Sequence, residues 1–123
     1  MSQKLLLVDD SALARRGMRN ILESEGFEVL EAEDGISALE RYFVERPNAV
    51  ILDLVMKGMY GLDVLTKLRE LDPNARVIVV SADVQESSQQ LVHAAGASGF
   101  LVKPVDREQV ISLVRGVLEG AAQ

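Results

Sequence analysis

Four uninterrupted apolar runs of strand length, each closed by a polar side chain, constrain this chain more than any other feature. Leu5-Leu6-Leu7-Val8 gives way to Asp9 and Asp10, Ala49-Val50-Ile51-Leu52 to Asp53, Val77-Ile78-Val79-Val80 to Ser81, and Phe100-Leu101-Val102 to Lys103. A strand apolar at every position must be covered on both faces, which is the pattern of parallel strands sandwiched between helices. The intervening segments supply the helices. Ala14, Met18, Ile21 and Leu22 recur at helical spacing and predict a helix from Ser11 or Ala12 to about Ser24, ended by Gly26. Phe27 to Ala32 sets Val29 and Glu31 against Leu30 and Ala32, the alternation of a strand at a sheet edge. A helix from about Ile36 to Glu45 stops before Pro47. Another carries Val64, Leu65, Leu68 and Leu71 as one stripe, a fourth runs from about Glu86 to Ala95, and a last carries Val110, Leu113, Val114, Val117 and Leu118. Gly96-Ala97-Ser98-Gly99 is read as a helix stop and tight turn. Five strand–helix pairs joined by right-handed crossovers predict an α/β fold, a doubly wound (βα)5 sandwich.

The 123 residues fit a single domain, taken as 1–123, and suffice to bury a real core. Hydrophobic residues make up 48% and charged residues 26%, values of an ordinary globular chain. With 13 basic and 19 acidic residues the formal charge is -6, and no basic cluster stands out, so neither nucleic acid nor a membrane is expected as a direct partner. Zero cysteines exclude disulfides and thiolate metal sites, and the amino-terminal residues contain no signal peptide or membrane span. The cytoplasm is the expected location.

In an open parallel sheet, ligands gather outside the carboxyl ends of the strands, so residues scattered from Asp9 to Lys103 are expected to share one pocket. Three carboxylates about 4 to 5 Å apart would repel by roughly 4 kcal/mol per pair at an effective dielectric near 20. An oxygen-only cluster suits a hard cation, and Mg²⁺ takes one or two carboxylates together with water and phosphate oxygens. Lys103 supplies a second positive charge. The set suits in-line phosphoryl transfer, with Asp53 as nucleophile and Ser81 bonding a phosphoryl oxygen.

Taken together, Val8-Asp9-Asp10, Asp53-Leu54-Val55-Met56-Lys57-Gly58-Met59-Tyr60-Gly61, Ser81-Ala82 and Phe100-Leu101-Val102-Lys103-Pro104 closely resemble the motifs of response-regulator receiver domains in two-component signalling, of the stand-alone CheY-like chemotaxis type. The resemblance spans essentially the whole chain. It implies strand order 2-1-3-4-5, Asp53 as phosphoacceptor, and Mg²⁺ held by Asp9, Asp10, Asp53 and the backbone carbonyl of Val55. It further implies that Ser81 turns toward the phosphoryl group, that Phe100 is the switch aromatic, that Lys103-Pro104 is cis, and that the surface of the fourth helix, fifth strand and fifth helix changes. The implied partners are a histidine kinase or phosphotransfer protein and an output protein that the sequence does not identify. The chain is then a monomer or a phosphorylation-dependent dimer, and it catalyses only its own phosphorylation and dephosphorylation. Lys57 stands where the family usually has proline and Tyr60 where a small polar or acidic residue is common, which points to a more mobile loop or a partner contact. Asp83, two residues beyond Ser81, is expected to tune dephosphorylation.

Each residue also has a plainer reading. Asp9 and Asp10 are acids suited to a helix N-terminus, Ser81 a cap, Phe100 core, His93 an exposed helix residue, and Met56 and Met59 packing or interface residues. Only the conjunction with Asp53 and Lys103 favours chemistry. Two other functional classes compete. An aspartyl-nucleophile phosphatase needs a second Asp two residues after the first, where this chain has Val55. A flavin module needs a phosphate loop that Asp9 and Asp10 would repel, and an absorbance spectrum tests it. The output stays open between a domain acting alone and a receiver cut from a larger regulator, such as one fused to a CheC-type phosphatase domain.

Overall fold

A computed structural model of the chain describes residues 3–56, 60–82 and 85–120. Five strands, β1 (Lys4–Val8), β2 (Glu28–Ala32), β3 (Ala49–Asp53), β4 (Val77–Ser81) and β5 (Gly99–Val102), alternate with five helices. The helices are α1 (Ala12–Ser24), α2 (Gly35–Glu45), α3 (Gly61–Leu71), α4 (Glu86–Ala94) and α5 (Arg107–Gly120). All strand pairs are parallel, in the order β2-β1-β3-β4-β5. The doubly wound sheet and the edge position expected of Phe27 to Ala32 are both present.

Strand alternation divides the apolar runs between two cores. Leu6, Val8, Val50, Leu52, Val77 and Val79 face one side with Tyr42, Val64, Leu65, Leu68 and Val92 from α2, α3 and α4. Leu5, Leu7, Ile51, Ile78 and Val80 face the other with Leu22, Val110, Val114 and Val117 from α1 and α5. Burying one such aliphatic side chain stabilises the fold by about 1.5–3 kcal/mol, which is why the runs over residues 5–8, 49–52 and 77–80 contain no polar residue.

Local chemistry sets the helix ends. Ser11 caps α1 by accepting the Ala14 N–H at 3.1 Å, and Asp34 caps α2 by accepting the Ser37 N–H at 2.8 Å. That aspartate cap moves the start of α2 to Gly35, ahead of Ile36. Arg46 takes a left-handed φ of 50° and donates its N–H to Tyr42, closing α2 before Pro47. Gly26, at φ 89°, turns the chain from α1 into β2. Two expected stripes are narrower than their spacing suggests. Leu71 is 55% exposed because α3 ends there, and on α1 only Leu22 is fully buried, with Met18 and Ile21 partly covered. Among the described residues no helix is long and apolar enough to cross a membrane.

Candidate functional site

The carboxyl ends of β1, β3 and β5 bring the predicted charges together. Asp53 is the last residue of β3 and only 8% exposed, paired in register with Val80 of β4. Leu54, just beyond it, donates its N–H to the Val80 carbonyl at 2.9 Å, and Lys103 donates its own to the Ser81 carbonyl at 2.9 Å. These ladder bonds hold the three loops side by side. Lys103 Nζ then lies 3.5 Å from Asp53 Oδ1 and 3.7 Å from Asp9 Oδ2. Asp9, Asp10 and Asp53 each present a carboxylate oxygen within 4.8 Å of the other two.

Burial and the neighbouring Asp9 charge push the Asp53 carboxyl above the usual range, against the pull of Lys103 and of the Val55 N–H. The Val55 amide donates to Asp53 Oδ1 at 3.4 Å. The aspartates are not the cap of α1. Both precede Ser11, which is the cap, and the first turn of α1 carries no acid. Asp9 is instead fixed at every polar group. Its N–H donates to Ala32, its carbonyl accepts from Arg15 Nη1 at 2.5 Å, and its Oδ1 accepts the Ser11 N–H at 2.9 Å. An all-oxygen cluster of this span, without nitrogen or sulfur donors, fits a small hard cation such as Mg²⁺.

Ser81, the last residue of β4, is 1% exposed. By alternation it belongs with Val79 and Phe100 on the α2, α3 and α4 side of the sheet, whereas Asp9 and Asp53 follow Leu7 and Ile51 on the α1 and α5 side. Phe100 is half-buried. It packs on the core beside Val92 and also lines a groove of about 490 Å³ with Gln89 and His93 of α4. His93 is exposed on α4, and Met56 is buried in the core, both as their plainer readings expected. The Lys103-Pro104 bond is cis. Lys57, Met59 and Asp83 lie outside the described residues, while Tyr60, 46% exposed, precedes α3 and makes no side-chain cap.

Two further residues belong to the site. Gly61 looked like one glycine of a loop, yet its N–H bonds the Leu54 carbonyl at 2.7 Å and a side chain there would strike the Asp53 carbonyl. Arg15 lies on the first turn of α1, and its side chain is only 14% exposed and reaches back to Asp9.

The family model described as response regulator receiver domain matches residues 5–115. The chemotaxis protein CheY of Bacillus subtilis is 37% identical over 119 residues, covering 96% of this chain and 99% of that protein. Sporulation initiation phosphotransferase F of the same species is 32% identical over 122 residues, covering 96% and 95%. Among solved structures, the CheX-CheY-BeF3-Mg²⁺ complex from Borrelia burgdorferi superposes with a TM-score of 0.90 at 36% identity, over 94% of this chain and 88% of that one.

Proposed function

The chain belongs to the response regulator receiver domain family, and from that premise we propose that it is a switch whose signal is a phosphoryl group on Asp53. Its CheY-like character makes it a signalling module of two-component type. One observation carries the assignment of Asp53: it is the buried carboxylate at a strand end that both touches Lys103 and closes the oxygen cluster with Asp9 and Asp10.

In the proposed step an Asp53 carboxylate oxygen attacks phosphorus as the bond to the donor breaks. That bond is P–N in a kinase phosphohistidine and P–O in an acyl phosphate, and its electron pair leaves with the donor. Asp9, Asp10, Asp53 and the Val55 carbonyl would hold Mg²⁺, which supplies positive charge to the equatorial oxygens. Lys103, within 3.5 Å of Asp53, serves the same oxygens from the other side. Ser81 then turns toward the new group and Phe100 follows it, since both lie on one face of the sheet. α4 is the element suited to respond: Val92 is its one fully buried residue. A module so lightly held shifts between two placements for a few kcal/mol, which charge-assisted bonds to a phosphoryl group can provide. The changed surface of α4, β5 and α5 would address the partner. The similar protein crystallised with CheX, BeF3 and Mg²⁺ supports both the cation and a protein partner.

The similarity to a sporulation phosphotransferase favours a second reading, in which Asp53 passes its phosphoryl group onward in a relay. An independent phosphatase is disfavoured because Val55, 64% exposed, occupies the place of the required second acid. The test is labelling by acetyl phosphate with Mg²⁺. Wild type should incorporate one alkali- and hydroxylamine-labile phosphoryl group and Asp53→Asn none; equal labelling of both would overturn the assignment.

A further inference from the structure

The polar network behind the acidic cluster leads away from the reacting atoms toward the edge of the sheet. Arg15, on the first turn of α1, donates Nη1 to the Asp9 carbonyl at 2.5 Å and Nε to Glu31 Oε1 at 2.8 Å. Glu31 lies on β2, next to Ala32, whose carbonyl accepts the Asp9 N–H at 3.2 Å. The main chain of Asp9 is therefore gripped on both sides by neighbouring residues of one strand: its N–H directly and its C=O through the Arg15 guanidinium. Arg19, one turn further along α1, bonds the other carboxylate oxygen of Glu31 and also Glu23, so Glu31 cannot swing away without breaking two ion pairs.

We propose that Arg15 is a positioning residue for the metal site, a clamp between β2 and the β1–α1 turn that keeps Asp9 and Asp10 turned toward Asp53 against their mutual repulsion. The argument is geometric. Asp9 and Asp10 sit in a turn between Val8, the last residue of β1, and Ser11, the cap of α1, and like charges within 4.8 Å push that turn away from Asp53. Loop backbone is the softest part of such a site. A guanidinium presents several donors in a rigid fork, so one side chain can bond a carbonyl and a carboxylate at once, which a lysine ammonium on a flexible stem does poorly. Arg15 also brings a positive charge to the carbonyl of a residue that needs it. The side chain is 14% exposed, so water competes weakly for these bonds.

This inference rests on the proposed Mg²⁺-dependent reading of the cluster, and the experiment separates the two. Mg²⁺ is titrated into wild type, Arg15→Met, Arg15→Lys and Arg19→Met, followed by the amide resonances of residues 9–11, with thermal unfolding measured in parallel. Removing a group that orients a metal ligand from outside typically weakens binding by about 10- to 100-fold. For Arg15→Met a loss near the lower figure, about tenfold, is expected, since the clamp acts through the backbone. Arg15→Lys keeps the charge without the fork and should recover only part of it. Arg19→Met removes a comparable tie between α1 and β2 and should lower thermal stability while leaving Mg²⁺ affinity within about twofold of wild type. With acetyl phosphate the Mg²⁺ concentration for half-maximal labelling should move with the affinity in the Arg15 variants. A wild type whose turn resonances ignore Mg²⁺ overturns the metal reading and the clamp with it. A wild type that binds overturns the clamp alone if Arg15→Met binds equally well, if Arg15→Lys restores full affinity, or if Arg19→Met is as damaging as Arg15→Met.

Discussion

A methyl group added at Gly61 would lie 2.5 Å from the Asp53 carbonyl oxygen and 2.6 Å from Leu54 Cα, and neither neighbour is a flexible side-chain end. The start of α3 therefore rests directly on the end of β3, and only hydrogen fits between them. Gly61→Ala is expected to push that junction apart, with a stability loss of about 1–3 kcal/mol from overpacking. Because the displaced backbone carries Asp53, labelling by acetyl phosphate should slow by about tenfold or more, given that ångström-scale misplacement of a reacting group costs up to about 100-fold. Urea unfolding and labelling kinetics on the same preparation check both; an alanine variant with wild-type values of each would show that the contact is not rigid. The contrast with Asp53 itself explains what a sequence discloses at this scale. Asp9, Asp10, Asp53 and Lys103 announce themselves because a charge after an apolar run is costly unless it is used, and that contrast is local in the chain. Gly61 and Arg15 acquire their roles from atoms on another element, Asp53 in one case and Asp9 with Glu31 in the other. Without the fold, one is a loop glycine and the other a helix arginine.

Between elements, the polar tie that matters to the α2–α3 layer is Tyr42 with Asp72. Tyr42, 5% exposed on α2, donates its hydroxyl to Asp72 Oδ2 at 2.7 Å, just past the end of α3. Burial and the facing carboxylate push the tyrosine hydroxyl well above its usual range. The same bond, aided by the Asn74 N–H, lowers the Asp72 carboxyl, burial opposing. Tyr42→Phe should destabilise the protein by about 1.5 kcal/mol at neutral pH, the lower end of the net worth of a bond with a charged acceptor. The sign of the pH dependence follows from the Asp72 shift. A carboxyl lowered on folding stabilises above its unfolded value near 3.9, and that contribution is lost as pH falls through the folded value. The gap between wild type and Tyr42→Phe should thus be full at pH 7 and narrow below about pH 4. A gap that instead widened in acid, measured by urea unfolding at several pH values, would contradict the assignment of Asp72 as an ionised acceptor. Elements were the scale at which periodicity was most informative. All ten appear where the spacing placed them, with ends shifted by about one residue where a cap intervenes, as Asp34 does at α2. Leu71 continues the α3 stripe yet stays exposed, because a helical period cannot show that the helix ends at that residue.

For the molecule as a whole, the two cores are built from alternate residues of the same strands, so the sheet's carboxyl end is held from both sides. The doubly wound architecture was legible because continuous apolar runs demand helices on both faces and right-handed crossovers leave few arrangements, whereas the strand order came from the resemblance of the motifs. The partner was not, since exposed side chains such as Leu91 and Val102 need satisfy no interior constraint. A rigidly held end is what allows three carboxylates to stay close with Lys103 as their charged neighbour, and the rest of the fold must absorb the repulsion that remains. Replacing Asp53 by the isosteric Asn removes the buried charge and both repulsive pairs it makes, at the loss of an ion pair to a lysine that is itself 35% exposed. In chelator, Asp53→Asn is expected to be more stable than wild type by about 1 kcal/mol, or about 4 °C in midpoint for a chain of this length. Adding Mg²⁺ at about ten times its dissociation constant should raise the wild-type midpoint by a similar amount, about 1.4 kcal/mol by mass action. The two effects should not add, because each relieves the same repulsion. Asp53→Asn should therefore gain less than half as much from Mg²⁺ as wild type does. Calorimetry of both proteins with and without the ion closes this cycle, and full additivity would mean that Asp53 and the cation act at separate places.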